Sequence, residues 1–216
     1  VPGYTNYVIV DSGGKGDYLT IATAIAAYPS GGVFIKVNAG TFIESGITIP
    51  SNTTIEGSGV SVTTWKNTAK NTTLFDSSAA TNVTIRNMTI QWNVAHNDAV
   101  VWIAMKMSTT TYLVGCFLTK AGFQDNFGKN LRGVAVNCVV DGTQYDGTVF
   151  QGCSFTGALA NNSPGTSSLP PNLIGGSSAS TETGPMLLVG HYLNSTYNGG
   201  STSIYPKPIR IISSHL

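Results

Sequence analysis

The chain of 216 residues is 41% hydrophobic, enough for one sizeable core, yet only 10% of it is charged and its formal net charge is +1. An ordinary soluble domain carries about 25% charged residues. No basic patch and no apolar run of membrane-spanning length occurs, which argues against a nucleic-acid partner and against a membrane span.

Val8-Ile9-Val10 reads as a short strand, and Ser12-Gly13-Gly14-Lys15-Gly16 as the turn after it. A helix follows. Thr20 suits its N-cap, and Ile21, Ala24, Ile25 and Tyr28 recur at i, i+3, i+4 and i+7. Pro29 and Gly31-Gly32 end it. Its single apolar face needs a surface to cover, and the open end of a stacked β-core is such a surface. After Gly32 the period changes to two. Strands are expected at Val33–Val37, Ile47–Ile49 and Thr53–Gly57, then at Val83–Ile90, Tyr112–Phe117, Val134–Val139 and Thr148–Phe155.

These later strands share a theme. Two inward apolar positions precede a small or amide residue, then Cys or Met, with another apolar residue two further on. Aligning Gly57, Asn87, Gly115, Asn137 and Gly152 gives a repeat that advances by roughly 30, 28, 22 and 15 residues. An irregular repeat with β periodicity and no Trp-Asp blade signature predicts an all-β fold, a parallel β-helix whose loops vary freely. Asn and Cys at equivalent positions would then form internal ladders, with Asn87 pointing inward. Cys116 and Cys138 fall one turn apart, as stacked free thiols or as a disulfide. From Ser163 to Pro185 the pattern fails, and Pro170-Pro171 and Gly175-Gly176 predict a long loop. Strands resume at Met186–Val189 and Ile209–Ile212. The expected organisation is a strand and helix over 1–32, β-helix turns over 33–160, a loop over 161–185 and final strands over 186–216. The chain begins at Val1 and ends beside a strand, which suggests a processed product or part of a longer polypeptide.

Thr, Ser, Asn and Gly replace the missing charge, a mix suited to a β-rich surface with many turns on a secreted or virion-surface protein. Sequons stand at Asn52, Asn71, Asn82, Asn87, Asn161 and Asn194. All but Asn87 are glycosylation candidates. Three cysteines without a CxxC pair, and scattered histidines, predict no metal site, and no cofactor is expected.

Several segments resemble the pectin methylesterases. Val10-Asp11, Gly16–Ile21 and Ala24–Pro29 resemble the capping helix that opens these and related β-helix proteins, virus tailspikes among them. Gly40-Thr41-Phe42-Ile43-Glu44 is similar to the family's Gly-x-Tyr-x-Glu, and Asn52–Gly59 to the strand and Gly turn after it. Asp98–Trp102 occupies the place of Gln-Ala-Val-Ala-Leu. Gly122-Phe123-Gln124-Asp125 resembles Gly-Tyr-Gln-Asp, and Gly142–Asp146 resembles Gly-Thr-Val-Asp with one extra residue. The resemblance implies a right-handed parallel β-helix with an N-terminal capping helix. It makes Asp125 the general acid/base, Asp146 the nucleophile and Gln124 an oxyanion donor. One ionised and one protonated carboxyl on adjacent turns could perform ester hydrolysis.

Three departures count against activity. Asp98 puts an anion where an amide donor is wanted. The nucleophile segment lacks the aromatic-Ile-Phe-Gly continuation. Leu188–Tyr192 lacks the Arg and Trp of Leu-Gly-Arg-Pro-Trp. Losing one oxyanion donor costs about 10²- to 10³-fold in rate. Asp125-Asn126 and Asp146-Gly147 also suit plain turns. Asp98, Trp102, Lys106 and Arg132 are candidates for carbohydrate contact. Trp65, Trp92 and Trp102 are candidates for stacking on sugar rings, with burial as the alternative for each. The leading reading is a domain that recognises a surface polysaccharide, as an adhesin or tailspike does, within a homo-oligomer (a trimer is one form) or a larger assembly. The alternatives are an active carbohydrate esterase or depolymerase using an Asp pair, and a purely structural shell or filament subunit.

Overall fold

The structure is a computed structural model. It describes residues 4–69, 72–92, 105–119, 133–141, 143–144, 149–155 and 159–160, and then the strands 172–178, 182–183, 187–189, 192–193, 197–198 and 210–212.

The chain winds into a parallel β-solenoid whose strands stack in three faces. The first face runs through Asn6–Val10, Val33–Val37, Thr53–Glu56, Val83–Arg86, Thr111–Val114 and Val134–Val136, every pairing parallel. The second runs through Gly40–Ile43, Thr63–Asn67, Thr89–Trp92, Phe117–Thr119 and Val139–Asp141. The third stacks Ile47–Thr48, Phe75–Ser77 and Met105–Met107, and a separate parallel sheet stacks Thr143–Gln144, Leu159–Ala160, Glu182–Thr183 and Tyr197–Asn198. Val149–Phe155 serves two faces, since its Val149 pairs with Val134 and its Ser154 with Val139.

Thr53 pairs with Val83, Val83 with Thr111, Tyr112 with Val134, and Val134 with Val149. These are the advances of 30, 28, 22 and 15 residues that the aligned small residues predict. Period-two alternation sends one column inward. Val8, Ile35, Ile55, Ile85, Leu113, Ala135 and Phe150 lie in register along the first face, and all are buried.

The helix is Ile21–Ala27. Thr20 caps it, its side chain accepting from the Thr23 amide, and Ile21, Ala24 and Ile25 join the solenoid core. Within the stretch expected as a loop, Asn172–Ser178 is a strand. It pairs with Val149–Phe155 and then with Leu187–Val189. A strand inside a solenoid is held by ladders on both sides, and these offset the poor strand propensity of Gly175-Gly176.

The corner between the first and second faces explains the repeat. Asn87, Gly115, Asn137 and Gly152 all have φ between 51° and 62°. This left-handed conformation is open chiefly to Gly and Asn. It turns Asn87 and Asn137 outward, so both are exposed and no internal Asn ladder forms there. The residue after each corner points inward instead. Met88, Cys116, Cys138 and Cys153 are all at most 1% exposed. The three cysteines are free thiols, as one of the two readings expects. Each sulfur reaches a first-face carbonyl one turn back, with Cys116 at 3.6 Å from Ile85, Cys138 at 3.4 Å from Leu113 and Cys153 at 3.3 Å from Ala135.

Candidate functional site

Outward side chains on the third face come from alternate residues of its strands. The register aligns Thr48, Asp76 and Lys106 in one outward column, while Phe75, Met105 and Met107 point into the core. Lys106 Nζ stands 3.5 Å from Asp76 Oδ2, and both side chains are about one-third exposed (31% and 33%). The other carboxylate oxygen, Oδ1, accepts from the Ser78 amide at 2.9 Å and from the Ser78 hydroxyl at 2.6 Å. Partial burial pushes the Asp76 carboxyl up. The two Ser78 donors and the Lys106 ammonium outweigh that and hold it below the usual carboxylate range. Asp76 is therefore an anion at neutral pH, matched by one cation.

Beside this column lies a cleft of ≈ 570 Å³. The end of the helix (Ile25, Ala26) and the turn after it (Pro29, Ser30) form one wall. Thr48–Ser51 and Asp76, Ser78, Ala79 and Ala80 form the others. Three segments distant in sequence thus converge on one concavity at the start of the third face.

The first face carries a different ladder. Glu56 Oε1 accepts from Lys36 Nζ at 3.1 Å, and its Oε2 accepts from Arg86 Nε at 2.7 Å. The Arg86 guanidinium also lies 5.6 Å from the Phe34 ring, on which Tyr7 stacks. Burial raises the Glu56 carboxyl, but the two cations outweigh it and lower it. These charges satisfy one another, so they define a closed structural network.

Of the residues singled out from sequence, Lys106 is on the third face with Asp76 as partner. Asp98, Trp102, Gln124, Asp125, Arg132 and Asp146 lie outside the described residues, as do Asn71, Asn161 and Asn194. Asn52 and Asn82 are exposed, and Asn82 Nδ2 donates to Asn52 Oδ1 at 3.1 Å across one turn. Trp65 is 0% exposed and stacks on Phe75 with centroids 5.5 Å apart, so it is core and no sugar platform. It sits on the inward column of the second face between Phe42 and Ile90. Among the described residues no His, Cys, Asp or Glu cluster could hold a metal ion, and no helix is long and apolar enough to cross a membrane.

No family model matches the sequence, and no curated protein matches it. Solved structures do match. A pectin methylesterase from carrot superposes with a TM-score of 0.59 at 14% identity, over 98% of this chain and 89% of that one. The rice weevil pectin methyl esterase superposes with a TM-score of 0.57 at 15% identity, over 98% of this chain and 88% of that one. The fold is a pectin methylesterase-like parallel β-helix. At these identities the likeness is one of architecture. Gly40–Glu44 and Asn52–Gly59 occupy consecutive turns of the solenoid.

Proposed function

We propose that this chain is an extracellular or virion-surface β-helix domain that recognises a cell-surface polysaccharide through its third face, with a pectinesterase-like site that has lost catalytic parts. The observation that carries this reading is the architecture, common to two pectin methylesterases over 98% of the chain. The site differs from the family pattern in its chemistry. A carboxylate at Asp98 opposes the negative charge that develops on an ester carbonyl oxygen, where the pattern has an amide donor. The lack of an Arg to orient a nucleophilic carboxylate points the same way. A long solenoid face with an outward Thr48–Asp76–Lys106 column still suits an extended sugar chain. In this reading Lys106, Asp98, Trp102 and Arg132 contact the glycan. The domain works in a homo-oligomer or larger assembly, as an adhesin or tailspike does.

A second reading keeps the chemistry, and the string Gly122-Phe123-Gln124-Asp125 favours it. Asp146 would attack the ester carbonyl, Asp125 would protonate the departing methanol, and Gln124 would donate to the oxyanion. Water would then cleave the acyl-enzyme with Asp125 as base. One experiment separates the two. The protein is incubated with highly methylated pectin and with unesterified host-surface polysaccharide, and methanol release and retention on the polysaccharide are read together. Retention without methanol supports recognition. Methanol release abolished by Asp125→Asn and by Asp146→Asn, with folding intact, overturns it in favour of the esterase.

A further inference from the structure

The cleft at the start of the third face belongs to no catalytic segment of the resemblance. Its size falls within the range of about 300 to 1,000 Å³ typical of small-ligand sites. Its walls combine apolar carbon, chiefly Pro29, Ile49 and Pro50, with oxygen groups at Thr48, Asp76 and Ser78. Such a pairing fits a ring that is apolar on its C–H face and polar at its edge.

The charge state narrows the ligand. Asp76 is ionised and is balanced by Lys106 at 3.5 Å, so the cleft wall is close to neutral. An anionic sugar entering beside Asp76 would meet a carboxylate in a partly desolvated setting. A cationic ligand would compete with Lys106 for it. A neutral sugar does neither, and its hydroxyl groups can donate to the carboxylate. The cleft also has a direction. The third face continues past it through Asp76 to Lys106, while Ala26 of the helix and Pro29 just after it stand across its other side. A polymer laid along the face would meet this wall.

We infer that the cleft is a subsite for one neutral pyranose at the end of a polysaccharide chain laid along the third face. Lys106, one turn further on, then lies beside the next part of that chain. The inference rests on the carbohydrate reading above and adds to it a position, a charge class and an end preference.

The test uses the full chain, a panel of neutral monosaccharides (galactose, glucose, mannose, rhamnose) with galacturonate, and a long host polysaccharide. Binding is read by saturation-transfer NMR and by titration. Ala26 and Ala79 line the cleft and are exposed, so Ala26→Trp and Ala79→Trp fill it without touching the core. The expected result is neutral-sugar binding that weakens about tenfold or more in both variants, a loss of about 1.4 kcal/mol or more. Galacturonate is expected to bind more weakly than the best neutral sugar. Neutral-sugar binding unchanged in both variants overturns the cleft assignment. So does retention of the long polysaccharide by a wild-type protein that binds no monosaccharide, and in that case the recognition reading stands. A folded protein that binds neither class removes both.

Discussion

The indole Nε1 of Trp65 donates to Glu44 Oε2 at 2.7 Å, and the other oxygen of the same carboxylate accepts the Ala22 amide at 3.2 Å. One carboxylate thus ties the helix to the second turn of the solenoid. The Gly-x-Tyr-x-Glu-like segment ends on this residue. Burial raises the Glu44 carboxyl above its usual range despite these donors. A carboxyl raised in the folded state contributes stability that is complete below its unfolded value, near 4.5, and is lost as pH rises through the folded value. Thermal unfolding of the wild type and of Glu44→Gln between pH 3 and pH 7 checks this. The wild type's advantage over the variant is expected to shrink toward neutral pH. An advantage that grows with pH would refute the assignment.

Glu56 and Asp76 have the opposite sign, since both are lowered in the folded state. Their stabilisation is present above their unfolded values and is lost as pH falls through the folded ones. Glu56→Gln is therefore expected to cost about 1 kcal/mol at pH 7, leaving Lys36 and Arg86 without their shared anion. The cost should fade below pH 4. Urea unfolding at both pH values gives the comparison.

The outer corner predicts a coupled pair. A Cβ on Gly152 would lie 2.6 Å from Asn137 Oδ1, at a φ of 62° that L-residues resist. Gly152→Ala is expected to destabilise by roughly 1–2 kcal/mol from backbone conformation alone, with the clash added. Asn137→Gly removes the clashing atom. The double variant should be less destabilised than the sum of the single ones by about 0.5 kcal/mol or more in denaturant titrations. Strict additivity would mean that the two residues do not touch.

That same corner made the fold legible in the sequence. Asn87, Gly115, Asn137 and Gly152 must be residues that accept a left-handed turn, and the next position must fill the core. Both constraints act at fixed places in each turn from Asn87 onward, so they survive turns of 28, 22 and 15 residues. Other features left no such trace. The outward direction of Asn87 depends on the sign of φ, and Asn marks the turn without showing which way its amide faces. Trp65 alternates with Thr64 and Lys66 as an outward aromatic on another strand does, and only the register opposite Phe42 and Ile90 buries it. Strand pairing overrode the Pro and Gly signals around Asn172–Ser178. The cleft was least legible. It joins segments near residues 25–30, 48–51 and 76–80, and no pattern in the sequence ties the three together.

The thiol stack predicts chemical silence. Cys116, Cys138 and Cys153 are buried and reach carbonyls one turn back. Donation to the Cys116 sulfur, with burial, pushes the Cys138 thiol up to about 12, and donation to Cys138 raises Cys153. Little reactive thiolate forms at these two near pH 8. The hydrogen bond from Cys138 lowers the Cys116 thiol, which burial alone shields. Iodoacetamide at pH 8 should leave the native protein unlabelled over hours and label all three cysteines once it is denatured. Rapid labelling of the native state would contradict the buried stack.

Asp76 and Lys106 give the last prediction, because removing each partner should move ligand binding in opposite directions. In the wild type, Lys106 spends part of its field on Asp76 at 3.5 Å. Asp76→Asn keeps the shape and the acceptor oxygen for Ser78 but frees the ammonium, so binding of an anionic polysaccharide is expected to strengthen by about two- to fivefold. Lys106→Ala removes the cation and leaves Asp76 facing the ligand, so the same binding should weaken by about as much or more. Both effects should shrink between about 50 mM and 500 mM salt, since the two side chains are solvent-accessible. Neither change empties the core, because Thr48, Asp76 and Lys106 point outward while Phe75 and Met105 fill the interior. Titration of both variants with an acidic polysaccharide at the two salt concentrations checks the pair. Equal responses in the two variants, or responses indifferent to salt, would mean that an acidic polysaccharide used as probe does not run along this column.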